Sequence, residues 1–232
     1  MRRQGAALDA ILRERSRQPI QTVLDAACGI GTQALPLAAL GYDVTGSDLS
    51  AAAIQRATQE ADARGLSVQF SVADMREASD HHARSFDAVI ACDNSVPHLL
   101  TDADILRAFE QFHDALAPDG LCVVSVRDYD ALERGGVTVH PYGAHEADGV
   151  RYVLLQVWEW AGGTDATHYD TTMYVIEHPS DGRPVVSASR GTYYAVPIPA
   201  LCDLMERAGF EGVERLDDAF YQPVLVGHRP AA

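Results

Sequence analysis

A chain of 232 residues, 47% hydrophobic and 22% charged, is long enough for one well-packed domain with a sizeable insertion, and no apolar run nears the roughly 20 residues that span a bilayer. Its net charge of −15, from 33 acids against 18 arginines and no lysine, repels phosphate backbones and argues against nucleic acid as partner or substrate. The cysteines at 28, 92, 122 and 202 show no C-x-x-C spacing, and Met1-Arg2-Arg3-Gln4-Gly5 leads into no apolar signal core; reduced thiols, no metal, no membrane and a cytoplasmic setting are expected.

In chain order, residues 4–17 predict an amphipathic helix with Ala7, Leu8, Ile11 and Leu12 at helical spacing, closed by Pro19. The stretch from Thr22 through Asp25, Ala26, Ala27, Cys28, Gly29 and Ile30 to Gly31 and Thr32 predicts a short strand that runs into a glycine turn. A helix over 33–40 follows, with Gly41 as its stop. A second strand over 42–48 ends in an acid, Asp48. Helix 50–65 starts at the N-cap Ser50, and a third strand over 68–74 again ends in an acid. His81 and His82 fall in a loop and are expected in solvent. Strand four covers 86–92 with Asp93-Asn94-Ser95 at its carboxyl end, helix five covers 102–116, and the turn Pro118-Asp119-Gly120 leads into a fifth strand over 121–126, ending in Arg127-Asp128. This alternation predicts an α/β fold with a doubly wound, mostly parallel sheet.

At Tyr129 the rhythm changes. Runs over 150–160, 168–178 and 185–194, separated by Gly162-Gly163 and Pro179-Ser180-Asp181-Gly182, predict an inserted antiparallel sheet. A helix over 198–208 and two closing strands, 212–216 and 222–227, complete a seven-stranded main sheet. The expected division is a nucleotide-binding core of residues 1–128 and 195–232, and an inserted substrate or cap subdomain at 129–194.

The glycine turn admits two nucleotides. Gly29-x-Gly31-x-x-Ala34 fits a dinucleotide fingerprint with Asp48 near the ribose position. Adenosyl-methionine is the other reading, and three features favour it: Asp25 stands in the strand where nicotinamide folds carry an aliphatic residue, Ala73-Asp74-Met75 offers a carboxylate to an adenine amine, and the tail is a hairpin. Asp-x-x-Cys-Gly-x-Gly, then Ser-Asp, then Ala-Asp-Met resembles the class I S-adenosyl-methionine-dependent methyltransferases and their Rossmann-like fold.

Asp93-Asn94-Ser95-Val96-Pro97-His98, Arg127-Asp128-Tyr129-Asp130 and Arg190-Gly191-Thr192-Tyr193-Tyr194 are similar to segments of the glycine N-methyltransferase group within that class. The resemblance implies S-adenosyl-L-methionine as cofactor and a small-molecule methyl acceptor. It places Ala27, Cys28, Gly29, Gly31, Asp48, Leu49, Asp74, Met75, Cys92 and His98 beside the cofactor. It makes Asn94 a holder of the acceptor's amine or carboxylate and Arg190 a carboxylate clamp. A planar guanidinium suits a carboxylate, and a neutral amide holds an amine without favouring its protonated form. The expected activity is N-methylation of a small amine bearing a carboxylate, such as glycine or sarcosine; a larger secondary-metabolite acceptor, or cofactor binding without turnover, are the alternatives.

Tyr193 and Tyr194 alternate faces of a strand, so at most one should reach the pocket, and Trp158 and Trp160 share a face and are expected to pack. Enzymes of the group carry an aromatic-rich lid ahead of the first helix, whereas no Phe, Tyr or Trp precedes Tyr42. The lid is expected to be missing, or supplied otherwise, a homo-oligomer with a segment lent by a partner subunit being one way.

Overall fold

The computed structural model describes residues 2–231 and divides into two compact units, Met1–Val96 with Thr101–Asp128 and Pro197–Ala232, and Pro97–Leu100 with Tyr129–Val196. In the first unit, α1 (Arg2–Arg15) buries Leu8, Ile11 and Leu12, the apolar stripe its spacing predicts. Next come β1 (Thr22–Asp25), α2 (Ala34–Ala39), β2 (Asp43–Asp48), α3 (Ala51–Arg64) and β3 (Gln69–Val72). Ser50 caps α3 by accepting the Ala53 amide at 3.2 Å, and Gly65 closes it in the left-handed region.

A short helix, α4 (Ala78–His82), occupies the stretch expected as a histidine loop. His82 is half-buried against Ser47 Oγ at 3.2 Å and packs edge-on to Phe86, and burial pushes its pKa down to about 4. The solvent reading therefore fails for His82, because a helical turn directs one of two adjacent side chains inward, and it holds for the exposed His81. Then follow β4 (Phe86–Ala91), α5 (Asp102–Ala115) and β5 (Leu116–Ser125). The expected turn at Pro118-Asp119-Gly120 lies within β5 as a register irregularity against β4, with Asp119 at φ +59.

The second unit is one antiparallel sheet: β6 (Gly136–Ala147), β7 (Val150–Trp160), β8 (His168–Pro179) and β9 (Val185–Tyr194), in the order β6-β7-β8-β9. β6 is absent from the sequence reading. It is an edge strand with a register shift between Pro141 and Gly143, two residues that weaken any strand signal. One face of the sheet carries Trp158, Trp160 and Tyr169, each nearly sealed from solvent, with Tyr169 stacked on Trp160 at 4.5 Å and on Tyr193 at 5.4 Å.

The first unit closes with α6 (Ile198–Arg207), β10 (Glu211–Leu216) and β11 (Val224–His228). Its seven-stranded sheet has the order β10-β11-β5-β4-β1-β2-β3, parallel from β5 to β3 and antiparallel at β11 and β10. The central strands are buried on both faces, Val23, Leu24, Val89, Ile90, Val123 and Val124 among them, as the apolar runs of a parallel sheet require.

Candidate functional site

Sheet order decides where a ligand can sit. From β1 the chain steps outward to β2 and β3, then returns to β4 on the other side of β1. Loops leaving the carboxyl ends of β1 and β4 therefore diverge, and such a switch point opens the crevice in which α/β sheets bind ligands.

On the β1 side, three strand ends meet at Asp48. Its Oδ2 accepts the Gly29 amide at 2.9 Å, its Oδ1 accepts the Ser50 amide at 2.8 Å, and its backbone carbonyl accepts the Ala73 amide at 3.1 Å. Each carboxylate oxygen retains acceptor capacity, so the group can take the two hydroxyls of a ribose while staying braced. Gly29 has φ +52, and a Cβ there would meet nothing within 4 Å, so its missing side chain leaves open space beside that carboxylate. Gly31 differs: at φ +84 its Cβ would lie 2.9 Å from Leu35, which makes it a packing glycine. Open space at Gly29 next to a braced acid fits an adenosine-type ligand. Ala27 is half-buried, Cys28 is buried and Leu49 is 65% exposed around the same strand ends.

Asp25 lies beneath this turn. It is fully buried, takes the backbone amides of Ala27 and Ala34, and has its Oδ2 without a hydrogen-bond partner. Burial, reinforced by the Asp48 charge, pushes its pKa up to about 7. The acid that marks the motif thus holds the turn from inside. Burial likewise raises the thiols of Cys28 and Cys92, leaving both protonated and unreactive.

Asp74 is committed to a neighbour the sequence reading missed. It accepts the Arg76 amide at 2.9 Å and the guanidinium at 2.6 Å, while Arg76 also reaches Asp104 at 2.8 Å. That contact with the Arg76 guanidinium holds the Asp74 carboxyl below its usual range, so the anion persists. Met75 follows it, half-buried.

On the β4 side, Asn94 is fully buried and its Oδ1 accepts the Arg127 amide at 3.0 Å. Asn94 and Arg127 are therefore brought together at the carboxyl ends of β4 and β5. Arg190 and His98 lie in the second unit. There Arg190 is exposed on β9 opposite Thr172, in a cavity of ≈ 290 Å³ shared with Glu159 and Asp170. The His98 ring sits 3.9 Å from that of Tyr193. Because Arg190 and Tyr193 are an odd number of residues apart on β9, they occupy opposite faces. Tyr194 instead stacks on His168 at 4.9 Å, as the expected alternation requires.

Two further residues of the β4 side, Asp93 and Tyr221, form a side-chain pair that sequence reasoning passed over. The available signal was the Asp-Asn doublet, since these are the non-glycine residues that best tolerate a left-handed backbone.

Among known proteins, residues 23–120 match the family model described as a methyltransferase domain. The chain is 32% identical over 136 residues to a glycine/sarcosine N-methyltransferase of Halorhodospira halochloris, covering 58% of this chain and 50% of that one. It spans about half the length of the first curated relatives it matches. Among solved structures, Streptomyces venezuelae DesVI aligns with a TM-score of 0.84 at 19% identity, covering 99% of this chain and 91% of that one. The sugar N-methyltransferase KedS8 from a Streptoalloteichus species aligns with a TM-score of 0.78 at 22% identity, covering 98% of this chain and 87% of that one. At those identities the two structures establish the fold. No helix among the described residues is long and apolar enough to cross a membrane.

Proposed function

We propose that this chain, whose residues 23–120 match a methyltransferase domain, is a class I S-adenosyl-methionine-dependent methyltransferase that methylates the nitrogen of a small amine that also carries a carboxylate, with glycine and sarcosine as first acceptors. S-adenosyl-methionine is the methyl donor and supplies an already activated sulfonium methyl. The observation that carries the reading is the junction at Asp48, where the ends of β1, β2 and β3 are bonded around open space at Gly29. Asp48 holds the ribose, Asp74 the adenine amine, and the glycine turn admits the amino-acid end of the donor. With the donor so fixed, the remaining requirement is an in-line amine, and positioning alone can account for about 7–11 kcal/mol of barrier lowering.

The acceptor class rests on likeness to glycine/sarcosine N-methyltransferases. Asn94 braces the β4 loop through the Arg127 amide, and Arg127 and Arg190 are the two candidate clamps for the carboxylate. A second reading, a larger amine such as an amino sugar, is favoured by the cavity of Arg190 being lined also by Glu159 and Asp170, acids that suit an amine better than a carboxylate.

The test is to incubate the chain with S-adenosyl-methionine and, separately, glycine, sarcosine and an amino sugar, and to measure S-adenosyl-homocysteine and methylated product by mass spectrometry. Product with glycine or sarcosine is expected. Product with the amino sugar alone moves the assignment to the second reading, and binding of the donor with no product from any amine overturns both.

A further inference from the structure

Resting on the amine-acceptor reading above, we propose that Asp93, oriented by Tyr221, is the residue that recognises the acceptor's amine. Asp93 and Asn94 leave the carboxyl end of β4 at φ +61 and +63, two consecutive non-glycine residues in the left-handed region. The conformation is pinned from β5: the Asp93 amide donates to Ser125 Oγ at 2.8 Å, the Asn94 amide donates to the Ser125 carbonyl at 3.0 Å, and Asn94 Oδ1 takes the Arg127 amide. One consequence is geometric. Asn94 is driven fully inward, and the Asp93 carboxylate is turned out to solvent on the β4 flank of the switch-point crevice.

Tyr221, from the loop between β10 and β11, donates its hydroxyl to Asp93 Oδ1. A tyrosine held 51% exposed, with Phe220 packed against its ring, contributes little to the core. Its bond instead selects one orientation of the carboxylate and engages one of its two oxygens. A left-handed backbone of this kind persists only where surrounding bonds over-determine it, and the bonds from Ser125 and Arg127 hold the doublet in the conformation that turns Asp93 outward.

A carboxylate at that position acts on an amine in two ways. It binds the cationic form that predominates near neutral pH, raising the pKa of the bound amine. It also favours the reaction once the amine is neutral. The nitrogen lone pair forms the new N–C bond, the C–S bond breaks with its pair left on sulfur, and the product cation later loses a proton to water. Positive charge thus builds on nitrogen beside the anion.

The charged and titratable groups around the pair are Cys92 on the same chain segment, Arg127 beyond β5 and, through Cys92, Asp25 at the end of β1. All three are retained when Asp93 is changed, so a difference between variants isolates its charge.

The experiment uses Asp93→Asn, which removes the charge yet tolerates the same backbone, and Tyr221→Phe, which keeps the charge and frees its orientation. Binding of glycine, sarcosine and an amino sugar is measured by calorimetry in the presence of S-adenosyl-homocysteine, together with kcat against pH. Asp93→Asn is expected to weaken amine binding at least tenfold, about 1.4 kcal/mol, with S-adenosyl-homocysteine affinity within twofold of wild type. It should also lower the maximal rate and move the acid limb of kcat to lower pH, because the bound amine loses its anionic neighbour. Tyr221→Phe is expected to weaken amine binding three- to tenfold without that downward shift. Amine binding within twofold of wild type in Asp93→Asn, or an unmoved acid limb, overturns the proposal while wild-type turnover leaves the amine reading standing. Wild-type protein that binds the donor but neither binds nor methylates any amine overturns both. Should Asp93→Asn lose cofactor binding, unchanged amine binding in Tyr221→Phe overturns it.

Discussion

The Gly29 amide donates to Asp48 Oδ2 at 2.9 Å, so a glycine turn after one strand is locked to the acid that ends the next. Because the same carboxylate also takes the Ser50 amide, Asp48 is a brace as well as the proposed ribose ligand. Asp48→Ala is expected to lower stability by about 2 kcal/mol, from lost charge-assisted bonds at a half-buried site. It should weaken S-adenosyl-homocysteine binding at least tenfold. Urea unfolding and calorimetry on one preparation check both; unaltered affinity would remove Asp48 from the donor site.

The two glycines of the turn should part company. Ala at Gly29 places a methyl in open space at φ +52, and Ala at Gly31 drives one into Leu35. Gly29→Ala is expected to lose donor affinity by tenfold or more for about 1 kcal/mol of backbone strain. Gly31→Ala is expected to lose more stability than that, with strain and overpacking together. Equal effects on affinity would show that the open space at Gly29 is not where the donor approaches.

Asp25 makes stability fall as pH rises. Its pKa in the fold is about 7, against 3.8 for the ordinary group. Between those values the unfolded chain has released a proton that the folded chain retains, so each step up in pH favours unfolding. The decline should run from about pH 4 to about 7 and level off above. Asp25→Asn removes the titration and should flatten this part of the profile in urea midpoints measured across that range, after allowance for the other acids. A profile that still declines in the variant would locate the effect elsewhere.

How much of this was legible depended on whether a signal was local. Gly29, Asp48 and the alternation of Tyr193 and Tyr194 follow from turn chemistry and strand period, which sequence carries directly. β6 was not legible, because Pro141 and Gly143 interrupt its pattern and an edge strand leaves most of its side chains exposed. Nor was the commitment of Asp74 to Arg76, which also bonds Asp104, a network set by a short turn and a distant helix. At Asp93-Asn94 the doublet was visible, but which side chain turns in and which turns out is decided by two φ angles and by Ser125, 32 residues from Asp93.

The carboxylate clamp is open to a direct comparison. Arg127 is half-buried at the carboxyl end of β5, and its charge is felt by the phenol of Tyr221. Arg190 is exposed and shares its cavity with Glu159 and Asp170, acids whose charge opposes an incoming carboxylate. Arg127→Ala keeps the backbone amide that bonds Asn94, so the β4 loop survives while the guanidinium is lost. Losing a charge-assisted carboxylate contact is worth about 1.5–3 kcal/mol. Arg127→Ala is therefore expected to raise KM for glycine by at least tenfold and to leave KM for an amine without a carboxylate within twofold. Arg190→Ala is expected to change neither by more than twofold. The reverse pattern would assign the clamp to β9 of the second unit, and a loss confined to the amine without a carboxylate would remove carboxylate recognition from the acceptor's description.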